Sequence, residues 1–96
     1  MHTVVKEESV TDFIDREAQT HSRLRDVVRG LEWLLSREPH QEAAEEVPGS
    51  SERFGQPVYL IKTEDLRFHE AGPPLRILYY VEEETVVFWG IGFDES

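Results

Sequence analysis

The apolar positions of the chain change period near its middle. From Val10 they fall at 10, 13, 14, 18, then at 24, 27, 28, 31, 34 and 35, the spacing of amphipathic helices. Ser9 or Thr11 suits an N-cap, and Asp12 puts a negative charge in the first turn, where the helix dipole favours it. Gln19-Thr-His-Ser22 interrupts the pattern with poor helix formers, and Ser22 suits a second start. The spacing predicts a helix over 10–19, a break or kink, and a stronger helix over 22–37 that Pro39 stops.

After residue 57 the period becomes two. The stretches 58–63 (VYLIKT), 75–81 (LRILYYV) and 85–93 (TVVFWGIGF) are rich in β-branched and aromatic residues. Only Glu82–Glu84 separates the last two, which reads as an antiparallel hairpin. Leu75, Ile77, Tyr79 and Val81 share one face; Arg76, Leu78 and Tyr80 share the other. Neither face is wholly polar, so this strand is expected at the centre of a sheet. Gly90 and Gly92 permit a bulge or a close backbone approach. Residues 3–6 (TVVK) are also β-prone. Residues 39–57, punctuated by Pro39, Pro48, Gly49, Gly55 and Pro57, read as a long acidic connector with room for a helical turn at Gln41–Glu46. Residues 64–74 read as a loop closed by Gly72-Pro-Pro74. The expectation is a single α+β domain over residues 1–96: two N-terminal helices, or one kinked helix, packed on a small antiparallel sheet.

Composition narrows the function classes. The 96 residues hold no cysteine, which removes disulfides and thiolate metal sites. The start of the chain lacks an apolar signal core, and nothing approaches the ~20 apolar residues of a membrane span. A cytoplasmic protein with no membrane role is the expectation. Twenty Asp and Glu stand against ten Lys and Arg, a net charge of −10. That balance disfavours non-specific nucleic-acid binding, which needs cations over phosphates, and suits basic partners or a salt-rich cytoplasm. His2, His21, His40 and His69 show no metal spacing, so no metal is expected. No phosphate loop, nucleophile motif or cofactor signature is present.

At about 100° per residue, Leu24, Val28, Leu31 and Leu35 form one apolar stripe flanked by Val27 and Leu34. Trp33 falls almost opposite it, with Arg29 and Arg37 one turn to either side. An exposed Trp between two Arg has the make-up of an interface anchor, with a cation–π pair available. The other reading is that a neighbouring segment covers Trp33 and makes a second small core. If open, this face suits a protein partner or a second copy of the chain as a homodimer.

Three stretches resemble the RelE/ParE superfamily of bacterial toxins. Gly30-Leu-Glu-Trp-Leu-Leu-Ser-Arg-Glu-Pro39 is similar to the apolar, Pro-terminated end of that family's second helix. Pro74-Leu-Arg-Ile-Leu-Tyr-Tyr-Val81 is similar to its YRI-x-Y strand, and Thr85-Val-Val-Phe-Trp-Gly-Ile-Gly92 to its final strand. The resemblance implies a β-α-α-β-β-β order and a toxin-like protein of a type II toxin–antitoxin system. Its implied partners are an antitoxin and either the ribosome with its mRNA or another protein target. RelE-like members cleave mRNA on the ribosome without a metal; ParE-like members poison DNA gyrase. For an endoribonuclease, the resemblance points to Lys62 and Arg76 as the cations that meet the phosphate; Arg53 and Arg67, in expected loops, are weaker cations, and Glu64 could act as a base. Ribonucleolytic members commonly close on a His, Arg or Tyr that moves protons, whereas this chain runs Gly92-Phe-Asp-Glu-Ser96. Tyr79 and Tyr80 are poor substitutes, since alternation turns one of them to the core. That departure opens an alternative: a non-catalytic protein-binding module on the same fold.

Overall fold

The computed structural model describes residues 1–66 and 74–94. The helical period of the first half does produce two helices. Strand β1 (Thr3–Lys6) leads into α1 (Glu8–Glu17), and α2 (Leu24–Arg37) follows after a six-residue break over 18–23. The helices are separate rather than one kinked rod. Helix α1 starts two residues before its expected position, because tertiary pairing sets the start. The Glu7 N–H donates to the Phe88 carbonyl (3.0 Å), so the strand ladder runs to the very edge of the helix, and the Val10 and Thr11 N–H groups then donate to the Glu7 carbonyl. The expected caps are not used. Glu7 occupies the N-cap with no side-chain bond, and Arg23, not Ser22, precedes α2. His21 packs its ring on Phe93 (4.9 Å) and so holds the break against the sheet.

The connector 39–57 is more ordered than its composition predicts. It contains a two-residue strand β2 (Glu45–Glu46) and a five-residue helix α3 (Ser50–Phe54). The expected helical turn at Gln41–Glu46 is replaced by a turn that feeds β2, since β2 pairs with β3 (Tyr59–Lys62) and the Val47 N–H extends that ladder to the Val58 carbonyl. Gly49 and Gly55 bracket α3 in the left-handed region, at φ 76° and 79°, where an L side chain is strained. After β3 come a 3-10 turn (Thr63–Asp65), β4 (Leu75–Glu82) and β5 (Thr85–Phe93). Glu82 pairs with Thr85, so the hairpin turns on two residues, Glu83 and Glu84, and not three. Most of the expected 64–74 loop, including Arg67, His69 and Gly72-Pro73, lies outside the described residues, as do Glu95 and Ser96.

The five strands form one sheet in the order β1-β5-β4-β3-β2, with β4 in the middle. Strands β2 to β5 are antiparallel. Strand β1 adds to β5 in parallel, which makes the sheet mixed. One face lies under α1 and α2. There Ile61, Leu75, Ile77, Tyr79, Val86 and Phe88 meet Val10, Ile14, Leu24, Val27, Leu31 and Leu35 in one core. The Tyr79 hydroxyl donates to the Pro39 carbonyl (2.9 Å). Burial pushes its pKa up to about 12, helped by the neighbouring Tyr59, so it stays protonated and structural. Among the described residues no helix is long and apolar enough to cross a membrane.

Candidate functional site

Among the described residues the opposite face of the sheet carries no long helix, and the cations singled out above lie on it. Arg76 stands between Leu75 and Ile77, both fully buried under the helices. Alternation therefore turns Arg76 outward. Lys62 stands between buried Ile61 and Thr63 and is turned the same way. Strand register makes the two direct cross-strand partners, Lys62 opposite Arg76. Such partners hold their Cβ atoms about 5 Å apart. Neither side chain enters an ion pair among the described residues, although Lys6, Arg16, Arg25 and Arg29 all do. Two like charges placed opposite each other weaken a sheet. In a chain with twice as many acids as bases, this pair stands out.

Beside the pair the face dips into a groove of about 370 Å³. Leu60 and Leu78 line its floor. Gly92 lies opposite Arg76 and Gly90 opposite Leu78, so β5 offers no side chain there. A Cβ on Gly90 would meet Leu78 Cδ1 at 3.2 Å, tighter than most such contacts, which is the close approach the glycine permits. The register slips between Leu78 and Tyr79, whose partners are Gly90 and Phe88. Trp89 is the extra residue of this β-bulge. It is 40% exposed, and its ring meets Phe54 of α3 edge to face at 5.1 Å. Val58 and Val87 are buried yet do not belong to the helix-side core. They belong to the open face, and α3 folds over that half of it. The Ser50 side chain pins α3 by accepting from the Val58 N–H (2.9 Å). Tyr80, paired with Val87, stays half-buried on this face.

Beyond Lys62 and Gly92 the chain carries acids. Glu64 follows Lys62 by two residues, and Asp94 extends β5 by donating its N–H to the Pro74 carbonyl (3.0 Å). A hydrogen bond to Asp94, and then the Asp94 charge itself, raise the Glu64 carboxyl above its ordinary value of 4.5, while Lys62 pulls the other way. Asp94 is 9% exposed, and its Oδ2 is buried with no hydrogen-bond partner among the described residues.

The second candidate surface is on α2. Trp33 is 60% exposed, so it forms no second core, and the Arg37 guanidinium lies 4.7 Å over its ring. Arg29 instead faces Asp26 at 4.0 Å. A groove of about 880 Å³ runs beside Trp33 and Leu34, with Glu38, Glu42 and Asp65 on its rim. The structure thus joins Arg37 to Trp33 and Lys62 to Arg76, and keeps the two surfaces on different elements. Arg53 is exposed on α3, away from any ion pair among the described residues. No group of three acidic or imidazole side chains suited to a metal occurs among the described residues.

Sequence reasoning missed Trp89 and Asp94. Period-two counting back from Phe93 puts Trp89 on the helix face, and only the slip at Gly90 moves it out. Asp94 lay one residue beyond the expected strand, so it carried no face assignment. No family model, no curated protein and no solved structure matches the chain.

Proposed function

We propose that the chain is a toxin-like protein of the RelE/ParE pattern, one half of a bacterial type II toxin–antitoxin pair in the cytoplasm, and that it engages an RNA phosphate through Lys62 and Arg76. The observation that carries this reading is the cross-strand cation pair on the sheet face away from α1 and α2, with neither cation in a close ion pair among the described residues. Keeping two like charges opposed lowers stability, and an anionic ligand is what offsets that cost. The element order, β-α-α-β-β-β with β2 and α3 inserted in the connector, supports the family reading.

The chemistry asked of the site is modest. In metal-free RNA cleavage the ribose 2′-oxygen attacks the adjacent phosphorus and the 5′-oxygen leaves. Fixed cations stabilise the charge gathering on the phosphate oxygens. A titratable group must also move a proton from the attacking to the leaving oxygen. Glu64, two residues beyond Lys62 and beside Asp94, is our candidate for that group. The test is expression in a bacterial host without any partner gene. Growth arrest with cut transcripts, lost when Lys62 and Arg76 are both replaced by Ala, is the expected result. Arrest that survives the double replacement removes these residues from the mechanism.

Exposure of Trp33 under Arg37 favours a second reading, a protein-binding module that cuts nothing. Arrest with intact transcripts that disappears in Trp33→Ala would select it.

A further inference from the structure

We infer that the open sheet face takes a short single strand of RNA along β5, with a phosphate between Lys62 and Arg76 and a base stacked on the Trp89–Phe54 aromatic pair. This rests on the phosphate reading of Lys62 and Arg76 and adds to it a second subsite and the class of strand. The placement follows from the register. Arg76 lies opposite Gly92, and Trp89 is three residues back along the same strand. At about 3.4 Å per residue the two subsites are about 10 Å apart. Between them β5 is bare, because the positions facing outward are Gly92 and Gly90.

The aromatic pair has the chemistry of a stacking platform. Trp89 and Phe54 touch each other yet remain 40% and 47% exposed. Exposed rings on a sheet face beside cations are what single strands use, since every base offers a π-face while a duplex hides it. Burying these rings in the core was open to the fold, and the bulge prevents it. Without the extra residue Trp89 would fall in phase with Ile91 and Phe93 under α1. The bulge turns it to the side of Arg76 instead. Gly49 and Gly55, both at positive φ with nothing within 4 Å of an added Cβ, hold α3 so that Phe54 reaches Trp89 from two strands away. The acids at the far end, Glu64 and Asp94, lie beyond Lys62 and not between the subsites. They repel a strand that runs past the cations, which sets its direction back toward Trp89.

The test follows tryptophan emission while the full chain is titrated with hexauridylate, inorganic phosphate or polyglutamate at low salt. Hexauridylate is expected to quench the emission. Phosphate, too short to reach the rings, is expected to leave it unchanged. Trp89→Phe should lose most of the quench, although Trp33 still emits. Trp89→Ala should weaken binding about ten-fold, within the range of one stacked base, and Trp89→Tyr should restore it. An unchanged quench in Trp89→Phe overturns the subsite. Equal binding of polyglutamate overturns RNA as the strand. Loss of binding in the Lys62→Ala, Arg76→Ala double variant, with indifference to Trp89, leaves the phosphate reading standing and removes the subsite. Indifference to all three residues removes both.

Discussion

The two faces of the sheet are built from the same strands and differ in what covers them. On the helix face, Ile61, Leu75, Ile77, Tyr79, Val86 and Phe88 meet α1 and α2 and all but vanish from solvent. One residue along each strand, the other face holds Leu60, Lys62, Arg76, Leu78 and two glycines, and among the described residues α3 lies over one half of it. Every residue of the helix face is explained by burial. On the open face Val58 and Val87 are buried too, but Lys62 and Arg76 are not explained this way, since two opposed cations weaken a sheet. Stability accounts for the first face. The second holds residues that stability does not ask for, and there a functional reading has room.

The widest gap between the faces lies in what truncation costs. Phe88→Ala leaves a cavity where α1 and α2 meet the sheet, and is expected to cost about 3–5 kcal/mol. Small domains have about 5–15 kcal/mol in total, so the variant should sit near its unfolding threshold in a urea titration. Leu78→Ala removes a side chain that already faces water for part of its surface. It is expected to cost about 1 kcal/mol, below the value for a fully buried Leu. Similar costs at the two positions would mean that something covers the open face after all.

A smaller effect of opposite sign sharpens the contrast. Lys62→Glu puts a carboxylate opposite Arg76 in place of a like charge. The sheet is expected to gain roughly 0.2–1 kcal/mol from the new cross-strand pair, seen as a higher urea midpoint with an unchanged slope. The same variant should lose all affinity for hexauridylate. A stability gain paired with a binding loss is the signature of a residue kept for function. A stability loss would show that Lys62 supports the fold.

The helix face was legible from sequence because burial leaves a periodic trace. Val10, Ile14, Leu24, Val28, Leu31 and Leu35 keep the helical spacing, and Leu75, Ile77 and Tyr79 alternate. The open face was legible only in part. Alternation gave the face of Arg76, and the family resemblance singled out Arg76 and Lys62 as cations, but their pairing depends on register, which no single strand encodes. Trp89 was hidden by a one-residue slip that reverses every face assignment beyond it. The start of α1 and the strand β2 were set by partners far along the chain, Phe88 for Glu7 and Val58 for Val47. Local propensity carries no record of such contacts. For Trp33, helical spacing set its place opposite the apolar stripe but not whether a neighbouring segment covers it, since such cover depends on contacts far along the chain.

The smallest effect concerns the acidic end of the open face. In the folded chain the Glu64 carboxyl holds its proton above the ordinary 4.5, first through its hydrogen bond to Asp94 and then through the Asp94 charge; Asp65 adds to this and Lys62 opposes it. The unfolded chain releases that proton at the ordinary value. In the window between the two the folded chain binds more protons, so stability rises as pH falls through it. The contribution is complete below 4.5 and gone once pH passes the folded value. Glu64→Gln keeps a hydrogen-bond donor toward Asp94 at every pH and removes the charge. Its urea midpoint should therefore exceed that of the parent at pH 7, and the difference should shrink as pH falls toward the ordinary 4.5. General repulsion in a chain of net charge −10 also eases on acidification, but it acts on both proteins and leaves the difference alone. Glu64 is exposed, so the effect is small and partly screened by salt. Parallel pH profiles for the two proteins would break the link between Glu64 and Asp94, and with it the claim that this end of the face holds a proton near the cations.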